Sequence, residues 1–441
     1  MEHAPQVPAG LRALDALVSP YGVVSGVSEP RRSPLLPHSY RCSAEVGEPG
    51  VARGLGIGTR AQGGGRAPHS PDLARFLAVA EAAERYAGCD TLGEERVVAS
   101  AAELAGTCLE PERFPRLSAA EYAHPKCRLV PFDPRAPIRW VRGTDLRTRR
   151  ELWVPAAMAC YGLADPMDAE RFCYLISTGY AVHTDPVEAV LRGALEVIER
   201  DAVAVLWLQR MALPSLAPAA LGDTVRHLAR ELEQRFVETC LFDATGDLGV
   251  PTVYCVLVAP HDPAVRTAVA AGTGRDLADA AVGAVLEAVS IIEFLHEHQD
   301  ERREEGAGPV AVEDMTALTA ASRYMAAPER AAAFGFLLDG AGDRPSPATA
   351  ALPADPARAL RQVIGRLADI GARPVVVDRT TRELADCGLT AVNVVIPDLQ
   401  PMSVDPLAQF KGHRRLYEAP ARAGHPVRAE EELNPWPQPF A

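Results

Sequence analysis

Two segments of this 441-residue chain carry charge where a helix has little room for it. AVAEAAERYAG (78–88) and DPVEAVLRGALEVIERDAV (185–203) both contain E-x-x-E-R within runs of Ala, Val, Leu and Ile. Both follow a capping residue and a proline, Ser70-Pro71 and Asp185-Pro186, the usual opening of an α-helix. At about 100° per residue, Glu81 and Glu84 lie about 60° apart on one face, as do Glu196 and Glu199. Glu188 falls about 20° from Glu199 around the axis and about three turns below it, giving an acidic stripe flanked by Arg192 and Arg200. A solvated face with i,i+4 Arg partners is the plain reading of either helix alone. The apolar flanks leave such a face narrow, however, and two such helices brought together repel unless cations lie between them. Mg²⁺ accepts a few carboxylates together with phosphate oxygens and water, and Arg can fork onto phosphate.

The rest of the composition narrows the classes. Hydrophobic residues at 48% and charged residues at 23% are ordinary for a soluble protein, and the length suits about two or three domains. A net charge of −13 gives no basic footprint for nucleic acid or an anionic membrane. Lysine is confined to Lys126 and Lys411, so phosphate binding falls to arginine. Nine scattered cysteines, odd in number and without a CxxC pair, argue against zinc or a disulfide framework and for idle thiols in a reducing cytoplasm. The N-terminus lacks a signal-peptide pattern, and apolar runs such as Ala202–Leu208 are too short to span a bilayer.

Along the chain, the patterns predict a short helix at 10–18, a strand at 21–27 and irregular structure over 28–70, including the Gly-rich runs 54–58 and 63–66 as loops. Helices are predicted at 71–87, 185–208, 223–238, 277–298 and 357–370. A hairpin is predicted with strands 138–142 and 151–154, and strands at 252–259, 373–378 and 391–396. Residues 416–441 read as an extended proline-rich tail, ending in Pro435-Trp436-Pro437-Gln438-Pro439 of polyproline II type, with Trp436 and Phe440 as apolar anchors. The mixture without a βαβ rhythm suggests an α/β or α+β fold with a large mixed sheet. Gly272-Thr273-Gly274-Arg275, ahead of the helix carrying Glu287, reads as an ordinary turn or as a phosphate-facing helix start.

Together these residues resemble the YcaO family of ATP-dependent peptide-modifying enzymes, roughly from Tyr21 onward. The resemblance lies in AVAEAAER, in STGYAVHTDPVEAVLRGALEVIERDAVAVLW, in AAGTGRDLADAAVGAVLEA, in VVVDRTTRELADCGLTAVNVVIPDLQPM and GHRR, and in the PWPQP tail. It implies a YcaO-like fold with a pseudo-symmetric ATP site, Glu81, Glu84, Glu196 and Glu199 as Mg²⁺ ligands, and Arg85, Glu188, Arg200 and Glu287 as nucleotide-binding positions. It divides the chain into a segment 1–20, a catalytic domain 21–415 and a tail 416–441 reaching the active site, with the carboxylate of Ala441 as base. Departures are Ala78 for a usual Ser, His183 for Gly, and Gly283 and Ser290 where Arg and Gln are common. The implied reaction is cyclodehydration. A Cys, Ser or Thr side chain of a precursor peptide attacks the preceding backbone amide, ATP phosphorylates the amide oxygen, and phosphate leaves to give an azoline. Implied partners are the precursor peptide, a leader-binding protein, a flavin dehydrogenase and a second copy of the chain. Backbone thioamidation and a non-catalytic scaffold subunit are the alternatives.

Overall fold

The structure is a computed structural model that describes residues 9–47, 62–89, 96–298, 311–315, 319–339, 349–403 and 405–440. An N-terminal sheet contains β1 (Val24–Val27), β2 (Arg31–Arg32), β3 (Ser39–Val46) and β4 (Gln62–Pro68), with β3 pairing the other three. Helix α1 (Pro71–Ala87) follows at once. The Ser70 hydroxyl accepts the Leu73 N–H at 3.1 Å and Pro71 opens the first turn.

The residues read as a loop at 63–66 are thus a strand. Its glycines serve a close approach: a Cβ on Gly65 would lie 1.8 Å from the Ala74 carbonyl oxygen, and one on Gly63 would lie 2.4 Å from that of Ala78. Ala74, Ala78 and Ala82, one stripe of α1 at i+4 spacing, are fully buried on this strand. Ala78, the family's usual Ser position, is therefore a packing position here. The 54–58 run lies outside the described residues.

The strands β5 (Arg96–Ala99), β6 (Ile138–Asp145), β7 (Glu151–Pro155) and β8 (Tyr180–His183) come next. β6 runs three residues beyond its predicted end at 142, and the β6–β7 hairpin turns at 146–149, where the Asp145 carboxylate accepts the N–H groups of Arg147 and Thr148. Helix α2 (Pro186–Leu208) is capped by Asp185, which accepts the Val187 N–H at 2.8 Å. After it come β9 (Ser215–Leu216), α3 (Asp223–Glu233), β10 (Glu238–Asp243), β11 (Thr252–Val258), β12 (Thr267–Thr273) and α4 (Leu277–Glu297). Gly222, not Asp223, occupies the cap of α3. Helix α5 (Pro356–Asp369), β13 (Val375–Asp378), β14 (Thr390–Val395) and α6 (Arg415–Arg422) complete the main elements.

In place of one large mixed sheet there are three sheets, ordered β1-β3-β2 with β4 on β3, β12-β11-β10-β9, and β5-β6-β13-β14-β8 with β7 on β6. Every ladder between these strands is antiparallel. α2 lies at their junction. Leu191, Ala194 and Ile198 pack with Val392 and Val394 of β14 and with Val363 and Leu367 of α5, while Val203 to Trp207 join the core of β10–β12 and α4. Each fully buried Val, Leu or Ile among them contributes roughly 1.5–3 kcal/mol. No cysteine is disulfide-bonded, and no described helix is long and apolar enough to cross a membrane.

Residues 416–422, read as extended, belong to the helix α6, which contains Pro420. Its anchor is Arg415, buried between two carboxylates: Nη2 meets Asp201 of α2 and Asp247, each at 2.7 Å. The same Asp201 accepts the Gln400 N–H at 2.7 Å. This double partnership holds the guanidinium pKa above its ordinary value against the opposing effect of burial.

Candidate active site

Two strands and two glycines bring α1 and α2 to one place. On α1, Glu81 accepts the Gly64 N–H at 2.8 Å and the Arg85 guanidinium at 3.1 Å. On α2, Glu196 accepts the Gly179 N–H at 3.0 Å and lies 3.5 Å from Arg200. The two sites therefore share one plan. In each, the first glutamate is held by a backbone amide of a glycine and by an arginine four residues on. Gly179 has φ +89°, and a Cβ there would fall 2.2 Å from the Val394 carbonyl oxygen. Only glycine fits that position.

The second glutamates are the electrostatically strained ones. Glu84 accepts the Val182 N–H at 3.1 Å, which joins α1 to β8. Burial pushes its carboxyl up to about 8, and the charges of Glu81 and Glu196 add to the shift. Glu199 pairs with Arg200, yet burial pushes it up to about 7, with Glu287 and Glu196 opposing its ionisation. Glu196 is raised as well, by burial first. Arg85 reaches across to the Ser177 hydroxyl at 2.5 Å, tying the first helix to the segment ahead of Gly179.

The structure thus brings together Glu81, Glu84, Glu196, Glu199 and Glu287 with Arg85 and Arg200. Five carboxyls against two guanidiniums leave an excess of negative charge in a partly desolvated space, and the raised carboxyl pKa values record it. Among the described residues no three His, Cys, Asp or Glu side chains form a closed cage for a bare ion. Oxygen donors, excess negative charge and an incomplete cage fit Mg²⁺, which keeps several ligands from phosphate and water.

Glu188 does not share in this cluster. Eight residues earlier on α2, about 12 Å along the axis from Glu196, it bonds Arg275 at 2.6 Å and Arg192 at 3.0 Å. Arg275 in turn donates to the Pro353 carbonyl at 2.6 Å. Of the Gly272–Arg275 run, read as a turn or a helix start, Gly272 and Thr273 end β12 and residues 274–276 lead into α4. The Gly274 N–H goes to Pro251, the Arg275 N–H to Asp279, and Asp276 caps α4 through the Asp279 N–H. Carboxylates and carbonyls already hold the donors that a phosphate would need. On α4, Gly283, Glu287 and Ser290 share a face. A Cβ on Gly283 would meet open space, and the Ser290 hydroxyl bonds back to Leu286. His183 accepts the Asp185 N–H, and burial lowers its pKa.

The tail runs back along α2. The Asn434 N–H bonds the Leu208 carbonyl at 2.8 Å, the Trp207 indole donates to the Trp436 carbonyl at 3.0 Å, and Gln438 donates to the Val203 carbonyl at 3.4 Å. Phe440, 2% exposed, ends the run with its ring 4.7 Å from the Arg200 guanidinium carbon. Ala441 lies outside the described residues. The sequence alone does not reveal the glycine amides, Ser177 or Val182 as supports, because each lies far along the chain from its glutamate or arginine.

Paired acidic helices with arginines at their edges have the chemistry that suits a metal-bound phosphate compound. The family model described as YcaO cyclodehydratase, ATP- and Mg²⁺-binding, matches residues 64–400. The chain belongs to that family, and ATP and Mg²⁺ are its cofactors. A protein of Methanothermobacter thermautotrophicus, uncharacterized by name, is 27% identical over 377 residues, covering 83% of this chain and 86% of its own. Among solved structures, a heterocyclase in complex with substrate and cofactor has a TM-score of 0.78 at 23% identity over 98% of this chain. The chain spans 57% of that heterocyclase. A YcaO protein of Methanopyrus kandleri bound with AMPPCP and Mg²⁺ has a TM-score of 0.54 at 19% identity, over 85% of each chain. At these identities the structures speak for the fold.

Proposed function

We propose that this chain catalyses ATP-dependent cyclodehydration of Cys, Ser or Thr in a ribosomally made precursor peptide to azolines. The observation that carries the reading is the repeated plan of the two E-x-x-E-R helices, which bring Glu84 and Arg85 near Glu196, with a proline-rich tail docked on the second. In it, Glu81, Glu84, Glu196 and Glu199 hold Mg²⁺, and Arg85, Arg200 and Glu287 set the charge around the phosphates. When bound, Mg-ATP supplies the phosphoryl group that makes the peptide amide oxygen a leaving group. The chain's own residues position and neutralise charge, as phosphoryl-transfer sites do. Glu188 acts through Arg275, fixing the start of α4 and hence Glu287. The attacking group is the substrate's own side chain, with the carboxylate of Ala441 as base. A leader-binding partner, a flavin dehydrogenase acting afterwards, a homodimer and a cytoplasmic setting belong to the same proposal.

Isothermal titration of ATP with and without Mg²⁺, on wild type and Glu196→Gln, tests the site. Binding that needs Mg²⁺ and weakens at least about tenfold in the variant supports it. Binding indifferent to both favours a scaffold subunit. Mass spectrometry of the treated precursor then separates chemistries. Loss of one water per ring is cyclodehydration, whereas exchange of oxygen for sulfur is thioamidation and overturns the reading.

A further inference from the structure

A cleft opens beside Arg200. It has a volume of 100 Å³ and is lined by Met158, Ile176, Thr178, Val197, Gln400 and Met402, among others. Its walls come from separate parts of the chain: the segment after β7, the segment ahead of β8, α2, and the loop after β14. Thr178 precedes Gly179, whose amide holds Glu196, so the cleft begins one residue from the acidic site. Its lining is largely apolar, and one of its polar members, Gln400, has an atom left unsatisfied. Gln400 is 1% exposed and donates its side-chain N–H groups to the carbonyls of Gln409 and Phe410 at 3.1 and 3.2 Å. That fixes the amide orientation and leaves Oε1 without a partner among the described residues.

A buried acceptor without a donor is costly. Gln400 lines a cleft whose other walls are mostly apolar, with Tyr174, Thr178 and Arg200 as further polar members. The ligand such a cleft matches carries one apolar side chain and one N–H. Its volume is below that of a cavity able to take benzene, about 150 Å³, which suits a side chain of alanine-to-leucine size. Neighbouring Cα atoms of a peptide are about 3.8 Å apart, so a peptide reacting at the edge of Arg200 places its adjacent residue here. Cys173, also in the lining, is pushed up to about 12 by burial and stays a thiol, so the cleft is a binding feature without a nucleophile.

We infer that this cleft is the subsite for the residue flanking the modified one. It selects small to medium apolar side chains and takes the backbone N–H of the substrate on Gln400 Oε1. The inference rests on the peptide-modifying reading, and its test separates the two.

Fluorescein-labelled hexapeptides, Gly-Gly-X-Cys-Gly-Gly and Gly-Gly-Cys-X-Gly-Gly, would be titrated by anisotropy onto the full chain with AMPPCP and Mg²⁺, with X as Gly, Ala, Val, Leu, Trp or Asp. The expected result is binding about tenfold tighter for Val or Leu than for Gly, Trp or Asp at one of the two positions. N-methylation of the amide at that position should weaken binding about tenfold. Ile176→Trp should move the preference to Gly, and Ile176→Ala should extend it to Trp, with ATP affinity unchanged in both. Equal binding by all members, no binding by any, or variants that shift ATP affinity but not peptide preference would overturn the inference. Azoline formation is scored separately. Its absence with flank-selective binding counts against cyclodehydration and leaves the cleft standing.

Discussion

Glu84→Gln should make the metal-free protein more stable and useless for Mg-ATP. The carboxyl has part of its surface near solvent, but protein atoms and the charges of Glu81 and Glu196 surround it and raise it from 4.5 to about 8. The unfolded chain ionises at the lower value, while the folded chain keeps its proton until the higher one. Below pH 4.5 both states are protonated and the residue costs nothing. As pH rises to 8 the folded state loses ground. A shift of this size corresponds to roughly 3 kcal/mol of destabilisation at pH 7 and roughly 5 kcal/mol once both forms are ionised. Glutamine carries no such charge and still accepts the Val182 N–H through its carbonyl oxygen. For 441 residues, about 1 kcal/mol moves the melting temperature by roughly 1 °C, so the variant should melt roughly 3 °C higher near neutrality and converge with wild type in acid. Melting by circular dichroism in EDTA, across pH, measures this. Adding Mg²⁺ with ATP should then stabilise wild type but not the variant, with proton release on binding. Parallel pH profiles for the two proteins in EDTA would refute the claim that repulsion in this cluster is stored in the fold.

The remaining expectations are simpler. Gly65→Ala should cost roughly 1–3 kcal/mol by forcing α1 off β4 and should weaken ATP binding. Gly64→Ala, whose Cβ would meet nothing nearer than 3.7 Å, should leave both intact in urea melts and titrations. Phe440→Ala should cost roughly 3 kcal/mol and raise hydrogen exchange over residues 434–440, with azoline formation lost if the docked tail serves catalysis. Arg415→Met leaves Asp201 and Asp247 buried without their cation and should cost roughly 3–5 kcal/mol, read by chemical denaturation; a cost below 1 kcal/mol would show that the carboxylates reach water.

What could be read from the sequence was local. The helices α1, α2 and α4 start where Ser70, Asp185 and Asp276 cap them, and the glutamate pairs follow from helical spacing alone. Strand β4 was opaque because three consecutive glycines look like a loop until the helix that follows at once packs back against them. Glu188 shares a helix face with Glu196, but a face says nothing of depth, and its partner Arg275 lies 87 residues away. The helix at 415–422 defeats the proline rule for the same reason. The ion pairs of Arg415 and the burial of Leu416 and Ala419 outweigh the hydrogen bond that Pro420 cannot make.

Three of the four paired glutamates are aimed by main-chain N–H groups, those of Gly64, Gly179 and Val182. A main-chain amide survives almost any change of side chain. Aim of this kind passes down a lineage with the sheet geometry and not with particular neighbours, so the surroundings are free to drift while the acids stay trained on the same point. A shared architecture at 23% identity is then no paradox, and the residues that cannot drift are the few glycines that let the backbone come so close.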